Sequence, residues 1–297
     1  ASNPGYNPND LMGDSAEETW ANLQEQEGQP LVNHAGAETL PPGSIFKIIT
    51  TAAGLNNGFD PSSTLTGSNV ITLPDTVTEL TNYANQKCNG QDAVTLQTAF
   101  ALSCNTAFVE MSEQLGADEL RKYAKAFGVG ENYDLGVSTS AGTLGDLPDG
   151  AATAQSAIGQ RDVTMTALQA AVMAGTVANK GTRMQPYLVN RITDAQMKDI
   201  RTTKPKKADQ AVNEETAATL TDLMYASERS SAGYDGNGFA SKTGTAEHGE
   251  GLAPHVWYVA FDPERDIAVG VVVKNGGNLG ESATGGKVSG PIGRAIL

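Results

Sequence analysis

Ser44 and Lys47 lie three residues apart in Pro42-Gly43-Ser44-Ile45-Phe46-Lys47, at the start of an apolar run. On a helix, side chains at i and i+3 share a face with Cβ atoms roughly 5–6 Å apart, so an amine at the second position reaches toward a hydroxyl at the first. A hydroxyl is a poor nucleophile until a base takes its proton, and an unprotonated lysine can be that base. Taken alone, the pair reads as a surface serine and lysine on one helical turn. Two further patterns follow in chain order, Ser103-Cys104-Asn105 and Lys242-Thr243-Gly244, the second continued by Thr245-Ala246, and each occurs once. Singly, Ser103 reads as a helix cap, Asn105 as a turn residue and Lys242 as a cross-strand partner. Together the three patterns can supply what acyl transfer requires: a nucleophile, a base, an oxyanion hole and a hold on the acyl donor.

The elements expected to carry these residues differ in kind. Pro41 and Pro42 discourage helix before position 43 and allow one to begin there. From Ser44 to Leu55 the apolar residues cover most of a helix circumference, which is the pattern of a buried helix with the serine at its N-terminus. Unsatisfied backbone N–H groups at that end can help bind an oxyanion. Residues 56–92, rich in Gly, Asn, Thr and Ser, read as an irregular lobe over the site, with a strand-like piece at Val70–Leu73. A helix is expected over Thr95–Leu102, broken by Ser103-Cys104-Asn105, with helical patterns resuming over 106–115 and 117–128. Loops follow to about residue 150. A small-residue central helix is expected over 164–179 and another over 213–225, with an exposed basic hairpin or loop at 198–207 between them. Runs at 239–245, 255–262 and 267–273 read as a three-stranded antiparallel meander that places Lys242-Thr243-Gly244 on its first strand. A last helix is expected over 288–297.

Composition narrows the rest. With 34 acidic against 20 basic residues the net charge is −14, which argues against a nucleic-acid partner or an anionic membrane face. No apolar run is long enough to span a membrane. The chain opens without a signal-peptide pattern and reads from its first residues like the middle of a domain. Cys88 and Cys104 form no Cys-x-x-Cys, so no metal site or cofactor is expected. Outside the cytoplasm the two cysteines can join in a disulfide that pins the Ser103 loop; otherwise they are two buried thiols. No Gly-x-Ser-x-Gly elbow accompanies the three histidines, which removes the main argument for a Ser-His-Asp hydrolase. His34 is a loop or core residue, His248 lies in a glycine-rich turn, and His255 is expected to pack on Trp257.

The ordered set Ser-x-x-Lys, Ser-x-Asn and Lys-Thr-Gly resembles the penicillin-interacting acyl-serine transferases. The Pro-Pro-Gly-Ser-x-Phe-Lys setting and Lys-Thr-Gly-Thr-Ala-Glu look most like class B, monofunctional penicillin-binding proteins of the actinobacterial elongation or septation type. Over residues 1–297 the resemblance implies one α/β transpeptidase domain, an antiparallel sheet flanked by helices with an all-helical lobe. It also implies an N-terminal membrane anchor, a pedestal domain and early strands of the sheet outside this chain.

By resemblance, Ser44 is the nucleophile, Lys47 the base, Ser103 a proton relay and Asn105 the residue that orients Lys47. Lys242, Thr243, Gly244 and Thr245 would bind the donor, with the Ser44 and Thr245 N–H groups as oxyanion hole. The implied activity is D,D-transpeptidation of peptidoglycan stem peptides, blocked by β-lactam antibiotics, at the extracytoplasmic face of the membrane beside a membrane glycosyltransferase. A D,D-carboxypeptidase, a slow β-lactamase and a non-catalytic β-lactam sensor are the alternatives. The Glu-x-x-Leu-Asn pentapeptide of class A β-lactamases is absent, and Cys104 stands where those enzymes carry aspartate.

Overall fold

Helices α1 (Ala16–Glu25) and α2 (His34–Ala37) precede the turn on which the site is built, in a computed structural model that describes residues 1–249 and 251–297. After the proline pair the chain enters a 3-10 turn, Gly43–Phe46, which runs directly into α3 (Lys47–Leu55). Ile45, Phe46, Ile48, Ile49, Ala52 and Ala53 are all fully buried, as the all-round apolar pattern requires.

The lobe over the site is more regular than its composition indicates. Strand β1 (Thr64–Thr66) pairs with β4 (Ala93–Thr95), and β2 (Val70–Thr72) pairs with β3 (Glu79–Thr81). Two short ribbons therefore accompany the helices there. The Thr95 hydroxyl accepts from the Thr98 N–H (3.2 Å) and starts α4 (Leu96–Leu102). Helix α4 ends at Ser103, whose φ of 62° is left-handed, and α5 (Asn105–Ala126) departs in a new direction. The two helices expected over 106–128 are one element interrupted at Gly116.

Asp149 accepts from the Ala152 N–H (2.7 Å) and caps α6 (Gly150–Ala157), a helix that sequence reasoning passed over as a lead-in to the next one. Thr166 and Gln169 form a reciprocal capping box at the start of α7 (Ala167–Ala178). Strand β5 (Thr182–Met184) pairs with β8 (Lys207–Gln210), and β6 (Arg191–Thr193) with β7 (Asp199–Thr202), so the basic segment is an exposed ribbon. Helix α8 (Glu214–Ser230), capped by Asn213, runs five residues past the expected end.

The meander comes last: β9 (Ala240–Ala246), β10 (His255–Asp262) and β11 (Ile267–Val273), antiparallel in the order β11-β10-β9, with Lys242 opposite Val259 and Gly244 opposite Trp257. Every residue of β10 is buried because helices cover both faces. Trp257, Val259 and Phe261 join the main core with Ala170, Met173 and Ala174 of α7, while Tyr258, Ala260 and Val269 pack with Leu297 beyond the closing helix α9 (Ser289–Ile296).

One packing expectation fails. His255 stacks on His248, with ring centroids 3.9 Å apart, instead of on Trp257. The Trp257 indole is committed elsewhere, donating to the Pro41 carbonyl at 2.8 Å. Burial, then the neighbouring His248, pushes the His255 imidazole down to about 4. His34 is held in place by Glu38 and the Gly28 carbonyl, each at 2.9 Å.

Candidate active site

Three elements distant in sequence meet in one crevice: the start of α3, the turn between α4 and α5, and edge strand β9. Lys47 and Lys242, from the first and third, are both fully buried. The Lys47 amine donates to the Ser103 carbonyl (2.8 Å) and to Asn105 Oδ1 (2.8 Å), with Ser103 Oγ at 3.3 Å. Asn105 is oriented from its far end, where Nδ2 donates to the Thr81 carbonyl of β3 at 3.1 Å. Lys242 Nζ donates to Ser103 Oγ (2.9 Å) and to the Thr243 carbonyl (3.1 Å). Ser103 thus stands between the two amines, and its left-handed backbone is what points both its carbonyl and its hydroxyl at them.

Two ammonium groups around one hydroxyl in a dry site are unfavourable. Burial, then the charge of Lys242, holds Lys47 well below the usual lysine range. Burial also pushes Lys242 down to about 7. A neutral amine has two N–H groups and one lone pair. In Lys47 the two 2.8 Å bonds to pure acceptors take both N–H groups, which leaves the lone pair to accept a proton. Aromatic rings temper the remaining charge: Lys47 Nζ lies 5.2 Å from the centre of Phe108, and Lys242 Nζ lies 5.8 Å from that of Phe100.

The Ser44 turn is pressed against β9, and two glycines permit it. A Cβ on Gly43, where φ is +53°, would come within 2.8 Å of the Thr245 carbonyl oxygen, and one on Gly244 would come within 2.8 Å of that of Pro42. Any side chain at either position would drive the turn and the strand apart. Ser44 is half-buried one turn before Lys47, and among the described residues its hydroxyl forms no hydrogen bond within the chain. Thr243 and Thr245 are half-buried on β9. The set brought into direct hydrogen bonding is therefore Lys47, Ser103, Asn105 and Lys242, with Ser44 and Thr245 adjoining it through backbone packing.

Cys88 and Cys104 are joined in a disulfide, with Cα atoms 5.7 Å apart, immediately beside Ser103. Asn82 ties the lobe to the same turn, accepting from the Thr106 N–H (3.0 Å) and donating to the Ser68 carbonyl (2.9 Å). Among the described residues no cluster of three His, Cys, Asp or Glu side chains is arranged to hold a metal ion, and no helix is long and apolar enough to cross a membrane.

The family model of the penicillin binding protein transpeptidase domain matches residues 1–297. The chain belongs to this family. Peptidoglycan D,D-transpeptidase PbpA of Mycolicibacterium smegmatis is 44% identical over 308 residues, and the PbpA of Mycobacterium tuberculosis is 41% identical over 308 residues. The alignments cover 99% and 100% of this chain and 62% of each relative, so the chain spans less than two thirds of their length. Penicillin-binding protein A of M. tuberculosis, solved as a penicillin G acyl-enzyme complex, superposes with a TM-score of 0.94 at 41% identity, covering 100% of this chain and 69% of that one. The D,D-transpeptidase domain of a peptidoglycan glycosyltransferase from Eggerthella lenta gives a TM-score of 0.82 at 25% identity, covering 98% of this chain and 72% of that one. The α/β transpeptidase fold expected from the sequence is the fold of this family.

Several residues of this transpeptidase-family crevice escaped sequence reasoning. Phe100 and Phe108 read simply as core, and only their positions three before and five after Ser103 hint that they floor the two amines. Thr81 contributes a backbone carbonyl, which leaves no mark in sequence. Trp257 ties the sheet to the Ser44 turn, a role visible only once the register sets it opposite Gly244.

Proposed function

We propose that this chain is the acyl-transfer domain of a serine D,D-transpeptidase that cross-links peptidoglycan stem peptides through an acyl-enzyme on Ser44, and that β-lactams acylate the same oxygen. The observation that carries the reading is the Lys47 amine, buried, next to a second buried amine, and with both N–H groups committed to acceptors.

Ser44 Oγ attacks the donor carbonyl as its proton passes to the Lys47 lone pair, a general-base step worth about 10²–10⁴-fold in rate. The backbone N–H groups of Ser44 and Thr245 receive the oxyanion, each such donor contributing roughly 3–4 kcal/mol to the transition state. Ser103 Oγ accepts from Lys242, so its own proton is free to be given to the leaving amine, and Lys47 restores it. Lys242, Thr243 and Thr245 hold the terminal carboxylate, and Gly244 lets the turn lie close enough for Thr245 to reach the same carbonyl. The amine of a neighbouring stem peptide then attacks the ester and frees Ser44. The site residues need no metal or cofactor for these steps.

The disulfide beside Ser103 supports a working place in an oxidising compartment, the extracytoplasmic face of the membrane. A membrane glycosyltransferase that supplies uncross-linked strands is the partner such a reaction calls for.

Labelled penicillin and intact-mass spectrometry test the reading. A long-lived adduct that is absent from Ser44→Ala is expected, with the variant's stability within about 1 kcal/mol of the parent. With a donor peptide and an added amine, cross-linked product is expected. Release of free acid alone indicates a carboxypeptidase, and rapid loss of the penicillin adduct a β-lactamase. An adduct without peptide turnover indicates a sensor, and an undiminished adduct on Ser44→Ala refutes the assignment.

A further inference from the structure

Glu228 is a carboxylate, 1% exposed, on the last turn of α8, and its contacts end one residue away from Lys242. We propose that Glu228, acting through Ser241, is the positioning residue that fixes β9 against the Ser44 turn. The inference rests on the reading of the crevice as an acylating site.

The carboxylate accepts four hydrogen bonds. Oε2 takes the Ser241 hydroxyl of β9 and, at 3.0 Å, the Tyr258 hydroxyl of β10. Oε1 takes Arg294 Nε of α9 at 2.7 Å and Asn237 Nδ2 of the segment before β9 at 3.0 Å. Four acceptor sites are about what a carboxylate offers, so this one is saturated. Arg294 is itself held in place: Nη1 donates to the Ala232 carbonyl (3.0 Å), Nη2 to Ser231 Oγ (2.5 Å), and its guanidinium lies 5.5 Å from the centre of the Tyr258 ring. Burial opposes the charge on Glu228, but the bonds from Arg294, Ser241 and Asn237 outweigh it and keep the group ionised.

Alternation along a strand puts Ser241 and Lys242 on opposite faces, so Glu228 does not touch Lys242 and works through the backbone. Strand β9 is the edge of its sheet: the β10 ladder holds one side, and the Pro42–Ser44 turn lies against the strand at Gly244 and Thr245. A tether from the face opposite Lys242 is what prevents an edge strand from rocking about that ladder. Rocking would displace Lys242, Thr243 and the Thr245 N–H together, while Lys47 and Asn105, at helix starts, and Ser103, in the turn pinned between two helices, stay in place. The loss should fall on bond formation more than on initial capture, because an oxyanion hole tolerates less misplacement than a carboxylate contact does.

The test separates acylation of the intact chain by a chromogenic β-lactam into a binding constant and an acylation rate constant, in Ser241→Ala, Tyr258→Phe and Glu228→Gln. Ser241→Ala cuts only the link to β9, and its acylation constant is expected to fall about tenfold, with binding changed less than about threefold. Tyr258→Phe removes a bond to the same oxygen from the central strand and is expected to stay within about threefold of the parent. Glu228→Gln puts an NH2, which cannot accept, where one oxygen takes two donors and removes the charge that Arg294 faces, so its acylation constant is expected to fall at least as far as that of Ser241→Ala. Glu228→Ala is avoided because Glu228 walls a cavity of about 580 Å³, with Tyr225, Tyr234 and Phe239, that would merge with the space left.

A Ser241→Ala protein that acylates like the parent, or a Tyr258→Phe protein that loses as much, overturns the proposal and leaves a packing network. A parent that takes no label at all refutes instead the reading of the crevice as acylating, and the positioning role falls with it.

Discussion

The crevice and the β6–β7 ribbon use the same side chain in opposite ways. Lys47 and Lys242 are fully buried, share Ser103 and rest over phenyl rings. Lys198, Lys204, Lys206 and Lys207 stand in solvent, on or beside β7 and β8, two strands whose residues are all exposed. In water a lysine keeps its proton at any physiological pH and serves as a mobile point charge. In the crevice, burial alone pushes Lys242 down to about 7, and the second amine adds to the burial that depresses Lys47. Chemistry thus comes from the enclosure, and what must be tested is how much each wall of it contributes.

The sharpest way to break the contrast is to remove the proposed base. Lys47→Met fills the same channel with an apolar chain of similar length, and acylation by penicillin, followed by stopped-flow or mass spectrometry, is expected to slow about 10²–10⁴-fold. Retention of the parental rate would show that the buried amine is merely structural.

The disulfide is the next largest lever. It joins cysteines 16 positions apart in sequence and closes that loop onto the Ser103 turn, and on the chain-entropy model such a cross-link is worth about 3 kcal/mol. The Cys88→Ser, Cys104→Ser double variant is expected to lose roughly that stability in urea unfolding, together with part of its acylation rate, because Ser103 is no longer pinned. A ribbon residue has no such tether, so no single change there should match it.

A pH series on stability reads the enclosure directly. The folded-state pKa of Lys242, about 7, lies below the unfolded lysine value of about 10.4. The unfolded chain therefore binds the extra proton between these values, and this residue's contribution to stability rises with pH across that window and is lost as pH falls toward 7. Lys242→Met escapes the penalty. Its melting temperature relative to the parent should be most favourable near pH 6 and should converge on the parent toward pH 10. A difference that does not vary with pH would mean that Lys242 is not titrating in a dry site.

How much of this could be read from the chain depends on the range of the interaction. The meander was legible because alternation, β-branched residues and intervening turns are local, and α3 because its apolar residues run all the way round. Helix α6 was not: Gly150–Ala157 is built of small residues with no apolar stripe, and it is helical because Asp149 caps it and Ala152, Ala154 and Ala157 fit a packed interior. The ribbons β1–β4 and β2–β3 have three-residue strands, too short to carry a period; Val70–Thr72 is marked by being β-branched throughout, and the other three are not. In the site, residue types and order pointed to Ser44, Lys47, Ser103, Asn105 and Lys242. The tilted pair Phe100 and Phe108 beneath the amines, the Thr81 carbonyl and the Glu228 tether are products of tertiary packing. The cysteine pairing stayed open in sequence because it depends on compartment and on Cα separation, and only the second is geometric.

The smallest expected effect belongs to the ribbon, and it is the control that gives the others meaning. Replacing Lys204, Lys206 and Lys207 together by glutamine removes three exposed charges that have no part in the crevice. The acylation rate should match the parent's, with the melting temperature moved by no more than about 2 °C, since surface changes away from caps and cores rarely do more. A reaction slower than the parent's at low salt, with the difference gone at high salt, would mean long-range attraction of an anionic donor, which is screened once the Debye length shrinks to about 8–10 Å near physiological ionic strength. A loss that persists in high salt would mean instead that the ribbon contacts the donor or the crevice, and the division between enclosed and solvated lysines would have to be redrawn.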